Sequence, residues 1–466
     1  RNGIKSTDGC IIVSGTLNIT STEDGIIGKD LCGIVAGDIN INAGSDGIKS
    51  TYDTDTTKGN VIIEGGNITI KASNDGIQAE NILVINDGTI NIKTNNGAAD
   101  TTQTHIDNMD MGRGGFGFNN NKTTTTTDDT SESRKGIKAG NMLIINDGDI
   151  TIDSDDDSVH CNSVIYIYGG TINAATGDDG VHADDLLTVN GGTINITQCY
   201  EGLEADDIVI NDGDISVVSS DDGINSSDGS ITINGGNLLI NASGDGLDAN
   251  GSIIINGGYI VVLGPTSDGD TAIDYDDSCT INGGTVMAFG SSGMLEIPKG
   301  ASNGACIVTA FTSVSGGSKY TLSDSNGNEI LSYTPSKAYA AAIVYSDKIT
   351  TGNTYNITAG STTLSIEVTS DVTSNVSSGF GGAGGMNKPG NGGSGMPNNG
   401  SSDNGMNGNS NGSMPDMSGN GAPDMNGNSS GDMPSMGGNS SNNSGNMPNM
   451  NNGSSNVNAP QMNNRM

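Results

Sequence analysis

A glycine followed by an aliphatic residue recurs at a near-constant interval up to residue 273, and that period limits the fold more than any other feature. Gly3-Ile4, Gly25-Ile26, Gly47-Ile48, Gly76-Ile77, Gly136-Ile137, Gly180-Val181, Gly202-Leu203, Gly223-Ile224 and Gly246-Leu247 carry it. Ser158-Val159 and Ala272-Ile273 fill the same slot without the glycine. The successive steps are 22, 22, 29, 60, 22, 22, 22, 21, 23 and 26 residues. A second marker keeps the same beat: Gly65-Gly66, Asp87-Gly88, Asp147-Gly148, Gly169-Gly170, Gly191-Gly192, Asp212-Gly213, Gly235-Gly236, Gly257-Gly258 and Gly283-Gly284. Two markers sharing one period define a repeat architecture.

Each unit contains short alternating runs, such as 186–189 (Leu-Leu-Thr-Val) and 193–196 (Thr-Ile-Asn-Ile), broken by Gly-Gly or Asp-Gly turns. Leucine-rich repeats share the period but need a helical leg, and no helical face is visible. The pattern therefore predicts an all-β chain, a right-handed parallel β-helix with glycine at positive φ and β-branched residues pointing inward. About 11 coils at ~4.8 Å each make a rod roughly 50 Å long. Asn86, Asn146, Asn190, Asn211, Asn234, Asn256 and Asn282 all precede the turn pair and should stack as an amide ladder. Cys10, Cys32 and Cys279 fall where other coils place Leu83, Leu143, Ile165 or Leu187, so they read as small core residues. A Cys10–Cys32 bridge between adjacent coils is the alternative.

Two breaks interrupt the rhythm. Residues 97–134 insert a polar, Thr- and Gly-rich stretch that predicts a surface loop within a helix domain of residues 1–300. Residues 301–376 lose the period but keep strand-like alternation, which predicts a small β domain covering the open end of the rod. From 377 to 466 the chain is Gly, Asn, Ser, Met and Pro, with 12 of the 17 Met, and cannot bury a core. We expect a disordered spacer there. The chain opens on Arg1 rather than Met, so we expect residues ahead of it, and a secretion signal is not legible.

Charge narrows the partners. The 466 residues carry a net charge of −36, which repels nucleic acid phosphates and anionic membranes. No apolar run is long enough for a membrane-spanning helix. Only four of the 54 acids lie in the tail, so the charge belongs to the coils. Many acids flank the marker (Asp24, Asp46, Asp75, Asp155 to Asp157, Asp178, Asp179, Glu201, Asp221, Asp222, Asp245), and others follow it (Asp184, Glu204, Asp206, Asp248, Asp274). Because the marker repeats every coil, these carboxylates stack on one corner. Such a column is unfavourable unless the acids are protonated or a cation bridges them. Hard oxygen donors match calcium, and no cluster of His or Cys in the sequence points to a softer metal. The candidate ligands are Asp178, Asp179, Asp184, Glu201, Glu204, Asp206, Asp221, Asp222, Asp245 and Asp248. His160 and His182 occupy equivalent slots one coil apart beside that corner, and Lys5, Lys49 and Lys138 share that slot in earlier coils. We take Lys49, Lys138, His160, His182 and Tyr200 as candidates for contact with a bound ligand.

The strings Asp-Gly-Ile-Lys-Ser (46–50), Asp-Gly-Val-His-Ala-Asp (179–184) and Ile-Thr-Ile-Asn-Gly-Gly (231–236) resemble those of bacterial, largely clostridial, carbohydrate-binding domain-containing proteins. So do the interruption after the fourth coil, the segment 321–329 and the Gly/Met-rich tail. The resemblance covers residues 1–370. It implies a calcium-containing right-handed β-helix, similar in shape to pectate lyases, that binds plant cell-wall polysaccharide including polygalacturonate and cellulose. It also implies that the Asp-Gly corner residues are the calcium ligands; the Lys135-Gly136-Ile137 coil departs by lacking the acid.

These readings together predict a non-catalytic, calcium-dependent polysaccharide-binding protein, extracellular or on a cell surface, acting as a monomer. A calcium-dependent lyase using Lys49, Lys71 or Lys138 as base is the alternative, weakened because no Lys is lodged in the acidic stretch 153–277. A surface adhesin or matrix protein is the third reading. The absence of Trp tilts the ligand towards an acidic or hydrogen-bonded glycan, because little but tyrosine remains in the coils to stack on neutral sugars.

Overall fold

The computed structural model describes residues 1–98 and 133–376. Most of the expected 97–134 insertion and all of the tail from 377 lie outside the described residues. Within them the chain is all β, a parallel β-helix of eleven full coils with a partial twelfth.

Each coil contributes one strand to each of three rows. The first row starts at Ile4–Ser6 and stacks in register through Ile26, Ile48, Ile77, Ile137, Val159, Val181, Leu203, Ile224, Leu247 and Ile273. These are the sequence markers, and all but the first are buried. The second row runs from Gly9–Ile12 to Ser278–Ile281, and the third from Thr16–Ser21 to Thr285–Gly290. The first two rows join into one sheet because Val181–Val189 and Leu203–Ile210 pass from one to the other without a break. Alternating residues point inward, and Ile, Val and Leu from all three rows fill a continuous core.

The two glycine markers serve different ends. Gly192 and Gly213 of the turn pairs sit at φ 91° and 128°, a region that other residues rarely adopt. The glycine before each aliphatic marker instead permits close approach. A Cβ on Gly180 would lie 2.4 Å from Ile196 Cδ1 and 2.5 Å from the carbonyl oxygen of Gly202 in the next coil.

The expected amide ladder is present. Asn211 donates to Asn190 at 2.9 Å, Asn234 to Asn211 at 2.8 Å, Asn256 to Asn234 at 2.8 Å and Asn282 to Asn256 at 3.0 Å. Cys10 and Cys32 face one another in register, and both are free thiols.

The rod ends by changing direction. Thr285–Gly290 pairs antiparallel with Tyr339–Ser346, which in turn pairs with Ala305–Val314. A four-stranded antiparallel sheet (Tyr320–Asp324, Glu329–Tyr333, Thr354–Ala359, Thr362–Glu367) supplies a second core. Tyr320, Leu322, Tyr355 and Ile357 pack there with Val261, Leu263, Met287 and Phe289 of the last coils. The outward column of the third row reads Asn173, Asn195, Ser216, then Leu239, Val261, Met287. It turns apolar at exposed Leu239, and the second core covers Val261 and Met287 beyond it.

Candidate functional site

In most coils an acid precedes the first-row marker and forms the acidic corner, and the aspartates among them have a task before any ligand arrives. Asp24 Oδ1 accepts from the main-chain N–H of Asp46, Asp46 from that of Asp75, Asp75 from that of Lys135, and Asp157 from that of Asp179. Asp179 does the same for Glu201, Asp222 for Asp245 and Asp245 for Thr271. One oxygen of each acid thus satisfies a donor that the stacked strands leave over, a charge-assisted bond across coils. The other oxygen remains for something else.

What it meets changes along the rod. The outward residue after each marker forms a column in register: Lys5, Ile27, Lys49, Gln78, Lys138, His160, His182, Glu204, Asn225, Asp248 and Asp274. It runs from basic through imidazole to acidic. Corner and column lie three positions apart, so Lys49 Nζ reaches Asp46 Oδ2 at 2.5 Å, and His160 Nδ1 reaches Asp157 Oδ2 at 2.8 Å. From Glu201/Glu204 onward the corner acid faces another acid or an amide instead.

Three groupings follow. The first centres on His182, whose Nδ1 lies 3.4 Å from Asp179 Oδ2, 3.2 Å from Glu204 Oε2 and 3.8 Å from Asp157 Oδ2. The His160 ring packs edge-on against it at 4.9 Å. Burial opposes charge on His182, but Asp179, Asp157 and Glu204 outweigh it and raise its pKa to about 10. The second joins Asp156, Asp157 and Asp178. Lys135 Nζ bonds Asp156 at 2.9 Å and Asp157 at 2.5 Å, and against the cost of burial it and the two histidines hold Asp157 well below the usual carboxylate range. The third brings Asp222, Asp245 and Asp248 within 4.8 Å of one another. Burial, then Asp248 and Asp221, push Asp222 to about 8; burial and Asp222 push Asp245 to about 9 despite the Thr271 N–H. Burial, then Glu204 and Asp179, push Glu201 to about 9, and burial with Asp179 pushes Glu204 to about 8.

Not every candidate joins these groups. Asp206 turns to the next corner, where Ser227 Oγ donates to it at 3.1 Å. Asp184 is half exposed, 3.6 Å from His182 Nε2. Asp221 neighbours Asp222, and Tyr200 hydrogen-bonds the Asp178 carbonyl through its main chain. Lys138 bonds Ser133 Oγ at 3.2 Å, and Lys49 lies five coils from Glu204.

Two participants escaped the candidate set. Asp157 is the corner acid of the Ser158 coil, hidden within an Asp run whose members look alike. Lys135 lies outside the acidic stretch in sequence, yet its ammonium is lodged against Asp156 and Asp157; its place one coil period ahead of Asp157 was the available signal. His160 and His182 pair in register as their equivalent slots implied, and stacking gathers them with three carboxylates.

The fold and corner define a parallel β-helix with an acidic edge. A family model described as carbohydrate-binding domain-containing protein matches residues 1–180 and again 178–371, so the chain belongs to that family. Carbohydrate binding is the activity that membership supports. No curated protein and no solved structure matches. No helix of the described residues is long and apolar enough to cross a membrane.

Proposed function

We propose that the chain is a non-catalytic module that holds an acidic cell-wall glycan, such as polygalacturonate, through calcium bound at its acidic corner. The observation that carries this reading is the convergence of Asp222, Asp245 and Asp248, two of them with pKa values raised to about 8 and 9. No Lys or Arg occurs between Lys138 and Lys299. Carboxylates forced together in this way favour a hard divalent cation. A cation so bound can also accept uronate oxygens, overcoming the repulsion between a −36 chain and a polyanion. The adjacent rings of Tyr166 and Tyr168, stacked at 6.4 Å, offer a modest platform for a neutral chain such as cellulose. Migration through gels cast with polygalacturonate tests the reading: calcium should slow the chain, and chelator or Asp222→Asn should restore free migration.

A lyase is the second reading, and Lys337 is what favours it. Burial lowers its pKa, and its ammonium donates to the carbonyl oxygens of Ala242 and Leu263, three residues before Asp245 in the first case. Two lysines at the corner are poor bases: Lys135 is held protonated between Asp156 and Asp157, and Asp46 holds Lys49 likewise. Appearance of unsaturated product would select the lyase.

A further inference from the structure

We infer that His182 Nδ1, Asp179 Oδ2 and Glu204 Oε2 form a binding site for a divalent transition-metal ion of the zinc class, separate from the oxygen-only cluster at Asp222, Asp245 and Asp248.

The distances leave room for a cation among the three side chains. His160 shows what a simple bond looks like here, with Nδ1 at 2.8 Å from Asp157 Oδ2. His182 Nδ1 approaches no carboxylate so closely; Asp179 and Glu204 stand at 3.4 and 3.2 Å. Donors about 2.0–2.1 Å from a tetrahedral zinc lie about 3.3 Å from one another, the edge of the tetrahedron. Both contacts match that edge.

The surroundings fit as well. Asp179 Oδ1 is already bonded to the Glu201 N–H, so Oδ2 is the oxygen turned towards the imidazole. His182 Nε2 lies 3.6 Å from Asp184 Oδ1, an ion-pair contact on the far side of the ring that leaves Nδ1 to Asp179 and Glu204. Lys135 bonds Asp156 and Asp157, not Asp179 or Glu204. An imidazole donor separates this site from calcium, which takes oxygen, and selects a borderline metal.

The test uses the full chain, stripped by chelator and then kept in saturating calcium, with zinc or cobalt(II) alone as probe. The expected results are one zinc retained per chain, nitrogen in its coordination shell by X-ray absorption, and the intense visible bands of tetrahedral cobalt. His182→Ala should weaken zinc binding by about 100-fold or more, whereas His160→Ala should stay within about tenfold of the parent. Asp179→Asn keeps the acceptor for the Glu201 N–H, so it should lose zinc while retaining the fold. Zinc that calcium displaces, a shell without nitrogen, or parent-like affinity in both His182→Ala and Asp179→Asn would overturn the site. Because calcium is present throughout, failure of the calcium reading leaves this outcome untouched.

Discussion

Ser158 and Ala174 occupy, within one coil, the two places that nine other coils give to a glycine and an Ile or Val. Gly136 faces Ile152, Gly180 faces Ile196, Gly202 faces Val217, and Gly246 faces Val262, each at a distance that no Cβ could tolerate. Where a side chain replaces the glycine, the facing residue shrinks to alanine; Ala272 with Ala288 repeats the exchange at the last coil. The pair therefore shares a fixed volume across the core.

Ala174→Ile should destabilise the rod by about 1–3 kcal/mol, the usual cost of overpacking. Adding Ser158→Gly should recover most of that loss, giving a strong coupling in a double-mutant cycle read by chemical denaturation. Independent, additive effects would show that the two side chains do not compete for the same space.

Stability should fall with rising pH when divalent cations are chelated. Glu201 and Asp245, at about 9, and Asp222, Asp178 and Glu204, at about 8, lie far above their unfolded values of 4.5 and 3.8. A raised carboxyl pKa gives stability that is complete below the unfolded value and lost as pH rises through the folded one. His182, raised from 6.5 to about 10, acts in the same direction over its own range. Thermal melts in chelator should therefore drop from about pH 5 to pH 9, and calcium should restore most at the upper end. A melting temperature flat across this window would contradict the electrostatic account.

Asp245→Asn separates the two duties of a corner acid. The amide oxygen can still accept the Thr271 N–H, while the charge that repels Asp222 and Asp248 is gone. The variant should melt above the parent in chelator and gain little from calcium. A variant destabilised in chelator would mean that the charge itself supports the fold.

Asn234 both donates to Asn211 and accepts from Asn256, so Asn234→Ala breaks two rungs of the amide ladder at once. These groups are exposed and water can replace the partners, which limits the cost to about 1 kcal/mol. Denaturant titration should show that shift without a change of slope.

The coil, its rows and the amide ladder were legible because each depends on residues repeating at one interval, and register follows from the period. The strand partners of the last coil were not, since Tyr339–Ser346 pairs antiparallel from beyond the repeat and no period announces it. Among site residues, the Asp222, Asp245 and Asp248 grouping could be read from spacing. Lys135 and Asp157 also sit one coil period apart, but the period does not say which member of the 155–157 Asp run a long lysine side chain will reach. Nor did the sequence reveal that corner aspartates such as Asp179 and Asp245 cap main-chain donors, which demotes part of the acidic column from ligand to scaffold.

Retention on immobilised polygalacturonate, with calcium and with excess chelator, tests the central claim most directly if unsaturated product is followed in the same samples. Retention should require calcium, be lost in the Asp222→Asn and Asp245→Asn double variant, and proceed without product. Product formation, or retention unchanged by chelator, would contradict it.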